Sequence, residues 1–555
     1  MIRVLSIGAL CLLVQLAHAQ TYQRQGNPFN VQAPPYTAAC DGATDDTSAI
    51  QRALNDAAAL SHGGVVVIPN ATCLSTTGIT VPPGVSLQGA AFIGGVDPTL
   101  YGGGSRILCP INLPNPCVRV GVVNGAPGTG SVSSLIIQGT GSAALTSGAG
   151  LMVDGVFNVS LNQVMVFNFY QGYYWKAYSE SGLGGKMWQA YSGRIRNAHL
   201  VVDSWPELQI AQSRFGVNGL SDLGANTYVR FQTAPHRNPA AGVNTFDCIN
   251  CQFNEGHGGV PVNHWLEFVN CISPTPPSGP PPACFPTEDV EIFRFTNNHI
   301  ENVNYGIFSD ATWQTIYDFK LTSSSLVVFK DILSQLNTAT NLIAFGLTAS
   351  KIFGPLTLNE TTQTRGLSFL GNYFTHPVTL NGGASSGSNG SRIMAAGNSF
   401  QNGLSINGNN WFSIDLHGNE GTFESMPTAA LTSNVMQFDA SVGRAVIAGG
   451  SATLTLTNVG QPVDGKNWDL FTDANGAFNL RALNDAYSAS TNVISCGRSG
   501  PTATGCSIQF PAVATPGTGT QTLANSPCSA PTVTRWVPIT IAGQASPTWF
   551  VPACQ

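Results

Sequence analysis

From Gly104 to about Phe423 the chain repeats one pattern: a short apolar run, a polar corner and another apolar run, with no strong helix signal between them. The corners set the period. Asn372, Asn398 and Asn419 lie in Gly-Asn corners 26 and 21 residues apart, and Asn250 and Asn298 are 48 apart, two spacings of 24. A period in the twenties made of strands and corners is what a parallel β-helix requires, because each coil buries its inward side chains only by stacking on the next. Asn corners stacked in this way would pass amide hydrogen bonds from coil to coil, a role that needs no catalysis. Three insertions interrupt the coils: 170–193 is aromatic and Gly-rich, 221–243 is a mixed polar loop, and 272–287 is Pro-rich between Cys271 and Cys284. Long loops on a rigid scaffold are where binding residues concentrate.

Ahead of the repeats lies a different signal. Ile50, Ala53, Leu54, Ala57 and Ala58 follow the i, i+3, i+4 spacing of one apolar helix face, with Asp45, Asp46 and Thr47 before it as candidate N-caps. Ser48 and Gln51 form an alternative capping box, and Gly63-Gly64 supplies a stop. Val65 to Ile68 then reads as a buried strand, and Pro82-Pro83-Gly84 turns the chain into Val85-Ser86-Leu87.

This order of DGATDDT, helix, GGVVVIP and PPGVSLQGA resembles the first segment of the pectate-lyase-3 superfamily, which includes polysaccharide lyases, glycoside hydrolases and bacteriophage tailspikes. The resemblance implies an all-β fold: a right-handed, single-stranded parallel β-helix over 40–424 whose open first coil is plugged by the helix. An exposed sheet end would otherwise template aggregation, so the plug has a physical purpose. Asp41, Asp45 and Asp46 read as caps rather than catalytic acids, since side chains of that type before a helix satisfy its free N–H groups.

The first residues, MIRVLSIGALCLLVQLAHAQ, have Arg3, an apolar stretch and Ala17-His18-Ala19, the form of a secretory signal cleaved after Ala19. Residues 20–39 form an N-terminal extension. Removing Cys11 with the signal leaves twelve cysteines, an even number for an oxidising compartment. Their positions suggest Cys40 with Cys73, Cys109 with Cys117, Cys271 with Cys284, Cys496 with Cys506 and Cys528 with Cys554. Cys248 and Cys251 remain, as a local or inter-rung disulfide; a zinc site would need a second such pair. Charged residues make up only 9% of the chain and the net charge is −6 without a basic run, so neither nucleic acid nor an anionic membrane is an expected partner.

Beyond about Ser425 the pattern alternates with period two, and Asp473-Ala-Asn-Gly476 marks a hairpin turn, giving a small antiparallel β module over 425–555. Its NWDLFTDANGAFNLRALND segment resembles modules that follow β-helices in tailspike-like proteins, which implies a possible homotrimer.

A polysaccharide is the expected partner, with glycoside hydrolysis the leading expectation for its chemistry and β-elimination the alternative. Glycoside hydrolysis needs two carboxyl groups across the bond. Asp222, Asp247, Glu267 and Glu291 are separated by 25, 20 and 24 residues, a rhythm that could place them on adjacent rungs of one face. Glu255 and His257 sit in the Gly-rich corner Asn254 to Gly259, where either could transfer a proton. Gly256-His257-Gly258 is similar to the GHG of polygalacturonases, though no Asn-Thr-Asp precedes it and no Arg-Ile-Lys follows. The expected hydrolytic set is therefore Asp222, Asp247, Glu255, His257 and Glu267, with no metal or cofactor. β-Elimination on a uronate would instead use bases and cations such as Lys176, Lys186, Arg194, Arg196, Arg214 and Arg230, with calcium as an optional cation. Aromatic faces stack on pyranose rings, which makes Tyr173, Tyr174, Trp175, Trp188, Trp205 and Trp265 the expected substrate-binding residues. A tailspike-like glycan-binding protein without catalysis is the third reading.

Overall fold

A computed structural model describes residues 28–553 except for intervening segments, the longest being 94–102, 217–224, 234–244, 271–291, 382–390, 426–434, 458–466, 509–534 and 540–548; residues 178–183 and 255–260 also fall outside. The expected signal sequence, the Cys271–Cys284 and Cys528–Cys554 pairs, and Asp222, Glu255, His257 and Glu291 lie outside the described residues.

Thirty-five strands join one almost wholly parallel system. Their pairings sort into three columns that wind around a single core, a parallel β-helix. Face A runs from Val65–Ile68 through Glu207–Ala211, Thr245–Ile249 and Ile292–Thr296 to Trp411–His417. Face B includes Thr72–Leu74, Arg106–Pro110 and Gln252–Phe253. Face C takes Ile79–Val81, Val118–Gly121, Ala149–Asp154, the second halves of Val159–Lys176 and Tyr191–Asp203, then Thr227–Thr233 and Val262–Asn270.

Period-two alternation decides what enters the core. On face C, Leu151, Tyr173, Leu200, Val229 and Leu266 align on successive rungs, as do Val153, Trp175, Val202, Phe231 and Phe268, and all are buried. Rings pack in register: Phe231 stacks on Phe268 at 5.0 Å, and Trp175 meets Trp205 edge-on at 4.9 Å. Aromatic burial of this kind is a dominant stabilising contribution.

The corner between faces A and B has one backbone solution, reused coil after coil. Ser134, Gln163, Gln189, Gln212, Asn250, Asn297, Ser323 and Ala349 all have φ between +49 and +55, and Gly371, Gly397 and Gly418 take over at +62 to +63. Left-handed backbone is costly for residues with a Cβ. A side-chain ladder offsets that cost at the next position: the backbone N–H of Cys251 donates to Asn298 Oδ1, Asn298 to Ser324 Oγ, Ser324 to Ser350 Oγ, Ser350 to Asn372 Oδ1, Asn372 to Asn398 Oδ1, and Asn398 to Asn419 Oδ1. The Asn372, Asn398 and Asn419 stack is as the sequence leads one to expect. Asn250 differs by one position, occupying the left-handed site so that Cys251 takes the place in the ladder.

The plug is a helix, Thr47–Ala58, that buries Ala49, Ile50, Ala53, Leu54 and Ala57. Its acids are structural, but their bonds differ from a simple cap. Asp46 accepts from the N–H groups of Ala39 and Cys40 at 2.6 and 3.0 Å, tying the incoming chain rather than the helix. Asp45 accepts from the Thr47 N–H and from the Thr47 and Thr76 hydroxyls. Partial burial opposes its ionisation, yet these bonds prevail and hold its pKa at about 2. Gln51 closes no capping box; it bonds the Thr80 backbone N–H and C=O. Cys40–Cys73, Cys109–Cys117, Cys248–Cys251 and Cys496–Cys506 are disulfides.

The parallel column continues past 425, since Val435–Asp439 still pairs with Trp411–His417, and Arg444–Ala448 folds back on it. The second compact unit, Ser451–Gln555, holds a five-stranded antiparallel sheet and a two-stranded ribbon. In it Gly476, at φ +77, closes the turn after Asp473, and Arg481 pairs with Asp469 at 2.8 Å.

Candidate functional site

Residues on the non-core side of a solenoid rung ordinarily meet water. On face C a group of them does not. The register aligns Thr80, Arg119, Met152, Tyr174, Val201, Arg230 and Glu267 in one column and Asp154, Lys176, Asp203 and Gln232 in the adjoining one. Asp154, Asp203, Arg230, Gln232 and Glu267 are nonetheless buried, while Arg119, Tyr174 and Lys176 stay partly exposed.

Buried charge must be neutralised locally, and two networks do this. Arg230 Nε donates to Glu267 Oε2 at 2.6 Å and its Nη2 to Asn197 Oδ1 at 3.0 Å; His264 Nδ1 stands 3.3 Å from Glu267 Oε1. Burial pushes the Glu267 pKa up, but the His264 hydrogen bond and the Arg230 charge outweigh it and hold the carboxyl below its ordinary value. The Arg230 pair favours the ionised form of Glu267, the opposite of what the protonated acid of a glycosidase requires. In the second network the Tyr174 hydroxyl donates to Asp203 Oδ2 at 2.8 Å and accepts from Gln232 Nε2 at 3.0 Å. Arg119 pairs with Asp154 at the exposed end, beside a cleft of about 340 Å³ lined by Thr80 and Asn115.

Face A carries a larger concavity, of about 810 Å³. Ser160, Lys186, Gln209 and Asp247 stack along one column of it, and Asn162, Trp188, Ala211 and Ile249 along the next. Burial pushes the Asp247 pKa up, and the Arg294 charge offsets this only in part; its Oδ1 is buried without a hydrogen-bond partner.

The expected ladder of acids on one face is thus not formed. Asp247 stands on face A and Glu267 on face C, because twenty residues is less than a full turn of the solenoid and ends on a different side. Four of the six expected sugar-stacking residues are core: Tyr173, Trp175, Trp205 and Trp265 are at most 1% exposed and leave no ring face for a ligand. Tyr174 and Trp188 remain accessible, the former within the face C network and the latter 48% exposed in the face A groove. His264, Gln232 and Asn197 had no distinguishing sequence signal, since only the register shows what they face.

The fold is a parallel β-helix. Residues 29–98 match the family model described as rhamnogalacturonase A/epimerase, pectate lyase-like. No curated protein matches the chain. Among solved structures, the A-module of Azotobacter vinelandii mannuronan C-5 epimerase AlgE6 is 13% identical, with 73% of this chain and 97% of that one covered and a TM-score of 0.46. PfbA, a surface adhesin of Streptococcus pneumoniae, is 13% identical over 82% and 99%, with a TM-score of 0.45. The tailspike protein gp49 of Acinetobacter baumannii bacteriophage Fri1, a capsular polysaccharide depolymerase, is 12% identical over 86% and 83%, with a TM-score of 0.42.

Proposed function

We propose that the protein acts on a uronate-bearing polysaccharide laid along face C, by removing the proton α to a uronate carboxylate and eliminating across the adjacent bond. The observation that carries this reading is the Tyr174 hydroxyl held between an acceptor, Asp203, and a donor, Gln232. A phenol so placed can pass its proton to Asp203, take the α proton from carbon as the double bond forms, and give that proton to the departing sugar oxygen as the C–O bond breaks, with Asp203 returning the first proton to the phenolate. Lys176 and Arg119, partly exposed on the same columns, supply positive charge for the substrate carboxylates. Arg230 and Glu267 hold the strands behind them. Calcium does not fit this set: its carboxylates are engaged by Tyr174, Gln232, Arg230 and His264, and the neighbouring cations would repel it. Among the described residues the one group with metal-ligand spacing is Cys40, Asp46 and Cys73, and both cysteines are in a disulfide. The four disulfides support a secreted location, and no helix among the described residues is long and apolar enough to cross a membrane.

Incubation with a panel of uronate and neutral polysaccharides, recording unsaturated-uronate absorbance and reducing ends together, tests the reading. Absorbance that disappears in Tyr174→Phe supports it. Reducing ends without absorbance would instead favour a glycoside hydrolase with Asp247 as its acid, and binding with neither signal a non-catalytic glycan-binding protein.

A further inference from the structure

We propose that the face A groove is a second, non-catalytic binding site for a neutral hexose segment of a glycan, separate from the chemistry on face C. Trp188 offers an exposed ring in the groove lining, with Asn162 on one side of it in its column and the apolar Ala211 and Ile249 on the next two rungs of the other. An aromatic face among aliphatic groups suits the C–H face of a pyranose. Around it stand hydrogen-bonding groups that match sugar hydroxyls, chiefly Asn162, Gln163, Gln189 and Gln209. Two of these amides are pre-set: Gln163 Nε2 donates to Gln189 Oε1 at 3.1 Å, which orients both before a ligand arrives.

Charge decides the ligand class. Lys186 and Asp247 occupy one column with Gln209 between them, so the lining itself carries one charge of each sign; Arg294, on the rung beyond Asp247, is not part of the lining and faces the Asp247 carboxyl. Asp247 Oδ1, buried and without a partner, provides an acceptor that a hydroxyl would satisfy. The column from Ser160 to Asp247 crosses four rungs, about 14 Å at ordinary strand spacing, enough for two to three hexose rings.

Affinity electrophoresis of the full chain provides the test, in gels containing neutral galactan, xyloglucan, mannan or, for comparison, polygalacturonate. Wild type is expected to be retarded by at least one neutral glycan, and Trp188→Ala to weaken that retardation about tenfold, the effect of losing an aromatic platform. Turnover of short oligosaccharides by Trp188→Ala should stay at the wild-type level. Tyr174→Phe should keep the retardation and lose turnover; if it keeps both, the face C reading fails and this one stands. Retardation by polygalacturonate alone, by no glycan, or equally in wild type and Trp188→Ala overturns the proposal. So does a loss of short-oligosaccharide turnover in Trp188→Ala with the fold intact.

Discussion

Faces A and C are built from the same rungs, yet they treat charge in opposite ways. On face C the buried acids are tied into side-chain networks: Glu267 to Arg230 and His264, Asp203 to Tyr174 and Gln232, and Asp154 to Arg119 through one oxygen, its other oxygen being buried without a hydrogen bond. On face A Asp247 faces an open groove, with one oxygen unpartnered and its ionisation opposed by burial. A paired network fixes positions and charge states, which suits proton transfer; an open wall of amides and one indole suits reversible contact with a neutral surface.

The sharpest way to break this contrast is at Tyr174. Tyr174→Phe removes one oxygen and should lower turnover on the order of a hundredfold to ten-thousandfold, measured by initial rates, while circular dichroism stays unchanged. Next comes Glu267→Ala, which strands Arg230 in a buried site and should cost about 3–5 kcal/mol in denaturant unfolding. Asn398→Ala leaves the Asn372 N–H without its acceptor and should cost about 1–3 kcal/mol in the same assay. Asp45 has a folded-state pKa lowered from 3.8 to about 2, so its contribution is complete above the unfolded value and is lost as pH falls through about 2. Thermal melts from pH 5 to pH 2 should show wild type losing more stability than Asp45→Asn. The smallest effect belongs to face A: Asp247→Asn exchanges an unfavourably buried carboxyl for an amide and should change stability by less than about 1 kcal/mol at pH 7. A loss as large as that of Glu267→Ala would mean that the two faces are not different in kind.

Much of the scaffold can be read from the residues, and the reasons are local. Ile50, Ala53, Leu54 and Ala57 share a helix face because 3.6-residue periodicity puts them there. Asn372, Asn398 and Asn419 recur because each coil needs the same corner. The site is less legible, since it depends on register across insertions: Arg230 meets Glu267 from 37 residues away, and no fixed period predicts that separation. Alternation also divides the aromatic run, sending Tyr173 and Trp175 inward and leaving Tyr174 and Lys176 on the other side, so composition alone overstates the sugar-binding surface. Asp247 and Glu267 share a spacing near the repeat length, but the full turn from Asp247 ends at Arg294, so Glu267 belongs to another side of the same coil.

The recurring corner has an evolutionary corollary. Because one backbone kink serves Gln, Asn, Ser, Ala and Gly alike, whole windings can be gained or dropped without rethreading the remainder. Such a scaffold can be lengthened by duplication, while the neighbours of each existing rung keep their places.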